Sequence, residues 1–415
     1  MRSPFEPGKT ISWLLASCLG ATLLAAAPAH AQEAAAPAPA PAPMPMAEPM
    51  PAPAPAEPAP APAPPPADVI VAPAAAPEVP LKKNPAVIST NFGLRVSGKI
   101  QGSSDPKKLN DASLDTIYLE ARFGGTLNKY FGWQANFNGS GKPAASSGTA
   151  SVMDLILKFD AADEFRVWAG RLLVPSDRSN FSGPFFMSPW NYPGVYGGTF
   201  IGPKTGANGR DDGVVLWGNI MEGKAKYFLG AFNMDNAAQS PLYSGRINIA
   251  LLGTEPGFWG SSTYYGEKDI VAIGGAFQYQ KKGSGIVDPL TLVGTENLTN
   301  VMADILVEKN LPGTGTFSLE STYYHFDKGQ TAKQAYYVLA SFLTADYVGV
   351  GKLQPLVRWQ QASPQSGGSK ISVLDAFVTY VIHNYDLKLA VGYQRTAVGS
   401  SAVANAIQVG LQMQN

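Results

Sequence analysis

The sequence ends on "AIQVGLQMQN", Ala406 to Asn415. Ile407, Val409, Leu411 and Met413 alternate with Gln408, Gly410, Gln412 and Gln414. A period of two gives a strand one apolar and one polar face. In a soluble sandwich the apolar face meets a protein core. In an outer-membrane barrel it meets lipid, and the polar face lines the interior. The pattern runs to the last residue without a cap or tail. That suits a closed barrel, in which the final strand pairs with the first and no edge is left. Asn415 falls in the apolar phase, where bacterial barrels commonly carry an aromatic that assists assembly.

Composition separates the two settings. Only 15% of residues are charged, 10% are aromatic, and glycine is abundant at 43 residues. The usual charged share is about a quarter. Past the first thirty residues no apolar run approaches the roughly 20 residues of a spanning helix. These features point to a membrane barrel rather than a cytosolic enzyme.

The N-terminus supplies an address. Arg2 and Lys9 precede the apolar run "ISWLLASCLGATLLAAAP", which closes on the A-x-A pattern Ala29-His30-Ala31. Residues 1–31 read as a secretory signal peptide and are set aside from the fold. Leu15 to Cys18, "LASC", also matches a lipoprotein box. The apolar run continues well past Cys18, however, whereas a lipobox cysteine normally ends it. Cleavage at Ala31 removes the only cysteine, and with it any disulfide or thiol chemistry. Residues 32–80 form a Pro/Ala-rich segment that cannot bury a core and favours extended polyproline II. Its 49 residues span on the order of 150 Å when extended at about 3.1 Å each. It reads as a disordered periplasmic linker, either a plain spacer or a tether that contacts the cell wall.

The whole chain has 31 basic and 31 acidic residues. Setting aside Arg2, Lys9 and Glu6 of the leader, and five acids of the linker, leaves 29 basic and 25 acidic. Residues 81–415 therefore carry about +4, and they read as strand after strand. "NFGLRVSGKIQ" puts Phe92, Leu94, Val96 and Ile100 on one face, and Arg95, Ser97, Lys99 and Gln101 on the other. "TIYLEARF" and "FGWQANFN" behave alike. About sixteen antiparallel strands start near residues 91, 113, 131, 151, 164, 213, 224, 242, 269, 301, 314, 334, 353, 371, 385 and 404. The stretches near 334–344 and 371–382 alternate less cleanly, so their inward phase is open. Connections after even strands are mostly tight, as in "EG" (Glu222-Gly223). Those after odd strands are longer, as in "KKGSGIVDPLTLVGTENLTN" from Lys281. Short periplasmic turns and long outer loops are the barrel pattern. "LGTEPGFWGSSTYYGEK", Leu252 to Lys268, breaks that rule and reads as a periplasmic plug or rim.

The longest connection is Val174 to Gly213, about forty residues dense in Gly, Pro and aromatics. Long loops without secondary structure are uncommon unless functional. The loop reads as a constriction that folds inward, with Phe185, Phe186, Trp190 and Tyr192 against the wall. A surface flap is the other reading. Inward strand positions supply Arg95, Lys99, Arg122, Lys158, Arg166, Arg246, Arg358 and Lys388, opposed by Glu120, Asp154, Asp304, Glu308 and Glu320. The loop adds Asp177, Arg178, Lys204, Arg210, Asp211 and Asp212. Basic rings favour anions by replacing part of the hydration an ion loses. Cross-pore salt bridges with little selectivity are the competing account. The pore-lining candidates are Arg95, Lys99, Arg122, Arg166, Arg246, Arg178, Arg210, Asp211 and Asp212, with Arg178 and Arg210 expected to face Arg95, Lys99 and Arg122 across the lumen.

Enzyme signatures are weak. HExxH, Walker A, GxSxG and paired cysteines do not occur. His325 and His383 are placed at opposite ends of a membrane band about 25 Å tall, too far apart for a shared site. No catalytic residue, cofactor, metal site or nucleic-acid partner is expected.

"FRVWAGRLLVPSDRSNF", "GRDDGVVLWG", "YFLGAFN" and "YYGEKDIVAIGGAFQYQ" resemble the strand-five region and following strands of the phosphate-selective porins. The resemblance covers roughly Asn91 to Asn415. It implies a sixteen-stranded homotrimeric barrel that passes small polar or anionic solutes, phosphate among the candidates, without a cofactor. Phosphate-selecting members carry an arginine ladder and a lysine cluster. The candidates here are scattered: Arg95, Arg122, Arg166 and Arg246 on strands, Arg178 and Arg210 on the loop. The Pro/Ala arm and Asn415 also depart from the family pattern. Two functions stay in play: a passive-diffusion porin of the outer membrane, or a plugged structural barrel that tethers that membrane to the cell wall through residues 32–80.

Overall fold

The computed structural model describes residues 87–415 apart from 103–110, 142–147, 196–202, 206, 233–239, 288–293, 328–331 and 366. The leader and the Pro/Ala segment lie outside the described residues. The first eight strands are β1 (Val87–Gly102), β2 (Asp111–Thr126), β3 (Phe131–Gly141), β4 (Gly148–Ala162), β5 (Phe165–Leu173), β6 (Arg210–Ile220), β7 (Ala225–Phe232) and β8 (Leu242–Leu252). The second eight are β9 (Ile270–Val287), β10 (Gly294–Leu311), β11 (Gly315–Phe326), β12 (Ala332–Thr344), β13 (Lys352–Pro364), β14 (Ile371–His383), β15 (Leu387–Val398) and β16 (Ser401–Gln414). Each pairs antiparallel with its sequence neighbours, and β1 pairs with β16, closing the barrel. Closure is what lipid demands, because an unpaired backbone group has no water partner there.

The terminal stretch shows how the alternation is used. Ile407, Val409 and Met413 are 53%, 51% and 48% exposed on the outer wall, whereas Gln408, Gly410 and Gln412 are buried inside. Asn415 extends the seam beyond β16. Its backbone N–H donates to the Phe92 carbonyl at 3.0 Å, and its side-chain oxygen accepts from the Phe92 N–H at 2.7 Å. An amide side chain here finishes the ladder, a task an aromatic could not perform. Other outward positions repeat the apolar belt: Leu119, Leu157, Leu229, Ile247, Phe277, Val357 and Val391 are all exposed. Buried on the membrane side by lipid, this belt is the surface that holds the barrel in a bilayer.

Two sequence expectations need correction. The tenth strand starts at Gly294, not near 301, and the ninth reaches Val287. Much of the connection read as a long loop from Lys281 is therefore a tall hairpin. The phases left open are now fixed. Tyr337, Leu339, Ser341 and Leu343 of β12, and Val373, Asp375, Phe377, Thr379 and Val381 of β14, face inward and are buried. Those faces mix apolar and polar residues because the loop packs on them: Leu343 and Val381 join a cluster with Phe186, and Phe377 joins Trp190. An inner wall that is a packing surface rather than a wet one loses its period-two contrast.

Candidate functional site: the lumen and its two inserted segments

The connection between β5 and β6 folds into the barrel. "PSDRSNF" starts it with a single helical turn, α1 (Arg178–Ser182), capped by the Asp177 side chain accepting from the Ser179 N–H at 3.2 Å. Gly183, at φ 65°, turns the chain out of the helix. Phe185, Phe186 and Trp190 are then buried against the wall. Glycines in the inward phase make room for them. A Cβ on Gly93 would lie 2.5 Å from the Phe185 ring, and one on Gly410 would run into the Trp190 indole. The polar face of the terminal strand holds the same segment. Gln412 donates to the Phe185 carbonyl at 2.9 Å, and the Asn191 amide donates to Gln408 at 2.7 Å.

Inward cations do the rest of this holding. Arg95 donates to the Trp190 carbonyl at 2.7 Å, Lys388 to the Met187 carbonyl at 2.9 Å, and Arg358 to the Tyr192 carbonyl at 3.2 Å. A chain folded into a lumen has no ladder partners, so its carbonyls need donors from the wall. Charged donors give the stronger bonds.

A second segment enters from the short-turn end. Residues 253–268, between β8 and β9, place Phe258, Trp259 and Ser261 to Tyr265 in buried positions. The two segments meet edge to edge: the Gly260 N–H donates to the Phe181 carbonyl and the Ser262 N–H to the Phe186 carbonyl, each at 3.2 Å. Phe258 stacks on Trp168 at 4.7 Å and contacts Trp217, Phe228 and Phe181. Thus the stretch that broke the loop-length rule is an inward plug.

An ionic network joins plug, loop and wall. Arg178 grips Glu255 with two hydrogen bonds of 2.7 Å and donates further to the Ser261 carbonyl and Asn248. Asp304 of β10 accepts from the Arg178 backbone N–H at 3.2 Å and from both Arg246 nitrogens, at 2.5 and 2.9 Å. Arg246 in turn holds the Ser176 carbonyl at 2.8 Å. Burial opposes ionisation of Glu255, but the Arg178 charge and its hydrogen bonds, with Lys226 behind, outweigh it and hold the carboxyl well below the usual range. Burial, reinforced by the Glu255 charge, pushes the Tyr264 hydroxyl well above its ordinary value, so it donates to Glu255 at 2.5 Å. Glu308 ties down the plug's other end, accepting from Thr263 at 2.7 Å and from the Tyr264 and Gly266 backbones.

The nine candidate pore-lining residues thus separate. Arg178 sits in the plug node at 2% exposure, away from Arg95, and Arg246 lies beside it. Arg166 is near the short-turn end, paired with Asp163 and lying 4.6 Å over Trp217. Arg122 pairs with Glu120 at 2.7 Å and Arg210 with Asp154 at 3.1 Å. Asp212 pairs with Arg171 at 3.2 Å. That pair is three ladder steps from Trp168–Val215, so it lies on the outer face of β5 and β6. Asp211 has the inward phase, and Lys99 is half-buried on the inner face of β1. Arg95 lines a cavity of about 390 Å³ between the loop and the β1, β2, β4 and β16 wall. Its guanidinium lies 4.2 Å over the Trp190 ring.

The structure adds partners that the sequence did not single out. Glu255 is one, lost in a segment without alternation. Asp375, paired to Arg358 at 2.9 Å, is another, lost in a strand of mixed phase. Gln408 and Gln412 carried a readable signal, two amides in the inward phase of the clearest strand. Among the described residues no group of three or more His, Cys, Asp or Glu is arranged for a metal ion.

No family model matches the chain, and no curated protein matches it. Solved structures share its architecture. Salmonella typhi OmpF in complex with daunomycin aligns with a TM-score of 0.53 at 12% identity, over 79% of this chain and 97% of that one. In-vitro folded OmpT in its trimer form, an outer membrane protein of Vibrio cholerae, gives 0.51 at 14%, over 80% and 100%. An anion-selective porin from Comamonas acidovorans gives 0.50 at 10%, over 80% and 100%. Identities this low carry the fold. With its closed sixteen-strand wall and apolar outer belt, the chain has the β-barrel architecture of these outer-membrane proteins.

Proposed function

We propose that this barrel is a passive-diffusion porin with a narrow eyelet. Small polar or anionic solutes cross between the inserted loop and the β1, β2, β4 and β16 wall. The observation that carries this reading is the cavity of about 390 Å³ on that side, with Arg95 as its charged lining residue. Neither Glu120 nor Asp154 lines it, and both are neutralised by Arg122 and Arg210. The eyelet therefore favours anions, and phosphate is among the solutes to try. A trimer, as in the Vibrio cholerae neighbour, and a spacer role for residues 32–80 belong to the same reading. The experiment is a planar-bilayer recording of the purified protein, with and without residues 32–80. Channels in both support it, and loss of channels on truncation gives the arm a place in the pore.

A second reading is favoured by the Arg178–Glu255 node, which joins the plug to the loop near the short-turn end. In that reading the barrel is plugged and its arm tethers the membrane to the cell wall. A purified barrel that folds but never conducts would support it.

A further inference from the structure

The charges inside this barrel cancel almost one for one. Arg178 and Arg246 face Glu255 and Asp304, Arg358 faces Asp375, Arg122 faces Glu120, and Arg210 faces Asp154. Arg95 and Lys388 differ: among the described residues neither forms an ion pair with a carboxylate, although both are buried. Lys388 is spent on the Met187 carbonyl and does not line the cavity, which leaves Arg95 as the cation beside it. One nitrogen is spent on the Trp190 carbonyl, and the guanidinium plane is fixed flat against the Trp190 indole. Its Nε is buried without a hydrogen-bond partner. The remaining cavity lining is neutral and rich in amides and hydroxyls: Ser97, Asn180, Asn191, Thr205 and Asn208 among them.

We propose that this cavity is a binding site for a small organic monocarboxylate with a hydroxylated body, its carboxylate taken by Arg95. The proposal deepens the porin reading and rests on it for its place in transport. Three features select this chemistry. A planar guanidinium with a pinned orientation matches the planar, two-oxygen carboxylate edge better than a point charge would. One cation lines the cavity and complements one negative charge, whereas a dianion would bring a second charge that no other lining residue meets. The neutral donors and acceptors around it match hydroxyl groups, and a bare inorganic ion would leave them without partners.

The test is calorimetric binding to the detergent-solubilised full chain, so it does not depend on conduction. The probes are sodium lactate, sodium phosphate at pH 7.5 and glycerol. Lactate is expected to bind about tenfold more tightly than phosphate, the factor one net hydrogen bond from its hydroxyl to the neutral lining supplies, and glycerol more weakly than lactate. Arg95→Gln is expected to abolish lactate binding. Should that variant fail to fold, Arg95→Lys keeps the charge but not the fork, and is expected to bring the lactate-to-phosphate ratio down to about one. Absence of lactate binding, phosphate binding as tightly as lactate, or an unchanged ratio in both variants would overturn the proposal. Absent channel conductance with intact lactate binding would sink the pore reading and leave this site standing.

Discussion

Two halves of the lumen differ in whether every arginine is paired. On the β8–β14 side, arginines and carboxylates meet in closed pairs: Arg178 with Glu255, Arg246 with Asp304, Arg358 with Asp375. Beside the Arg178 node, Phe181 of the loop, Phe228 of the wall and Phe258 of the plug pack against one another. On the β1–β4 and β16 side, Arg122 and Arg210 are paired with Glu120 and Asp154, but a cavity remains and Arg95 has no acidic partner among the described residues. The contrast separates two uses of an inward charge. A buried pair with both partners present fixes geometry, and its desolvation is offset only by its own completeness. A lone cation beside an open volume is left to meet what passes. Counting charges over residues 81–415, which gives about +4, cannot tell the two apart.

The sharpest way to break the contrast is to open the closed half. Glu255→Ala leaves Arg178 buried with only Asp304, already paired to Arg246, at 3.7 Å, and breaking such a pair costs about 3–5 kcal/mol. The unfolding temperature in detergent should fall markedly and conductance should rise as plug and loop part. The double variant Arg178→Met/Glu255→Leu should recover much of that stability, since a matched apolar pair avoids desolvation. Equal damage in single and double variants would show that the pair is not what binds plug to loop.

A smaller effect comes from the other half. Gly410→Val pushes a side chain into the Trp190 indole, and overpacking of this kind costs about 1–3 kcal/mol. Because Trp190 supports Arg95, anion preference should weaken together with stability. Unaltered selectivity in a folded Gly410→Val protein would detach Arg95 orientation from Trp190.

The pH dependence of the closed half follows from the depressed Glu255 carboxyl. A lowered folded-state value means that the stabilisation is complete above the unfolded value, near pH 4.3. It is lost only as pH falls from there toward the depressed value. The stability gap between the unmodified protein and Glu255→Gln should therefore stay constant from pH 7 to about 5 and narrow below about 4. A gap that closes near neutrality would mean Glu255 is not held ionised by Arg178.

The smallest effect is expected outside both halves. Lys309 and Asp269 pair at the exposed short-turn rim, where long side chains and solvent leave little net gain. Replacing both with Ser should not measurably move the unfolding temperature. A clear drop would extend the closed half's network to the rim.

The strands were legible because lipid on one side and an inner face on the other enforce period two. Fourteen of the sixteen expected starts fall within three residues of the observed strands, and the tenth misses because β9 and β10 run on together as a tall hairpin. The inward loop was legible from its length and aromatics. What sequence could not supply was pairing. Arg178 was visible as a loop cation, but its partner Glu255 lies 77 residues away in a segment with no periodicity. Asp375 lay in a strand whose inner face had become a packing surface, so its phase could not be read. Arg95 differs from Arg122 only in what stands beside it, which is a tertiary fact.

The most direct test of the account is ion selectivity of the unmodified channel across a salt gradient. Like charges about 8 Å apart interact by roughly 0.5 kcal/mol in water and about 2 kcal/mol at an effective dielectric near 20, so one lone arginine beside a narrow passage gives a modest bias. The reversal potential should favour anions in dilute salt. It should move toward zero near 1 M, where the Debye length is about 3 Å. A reversal potential favouring cations in dilute salt would contradict the assignment of the open half to Arg95.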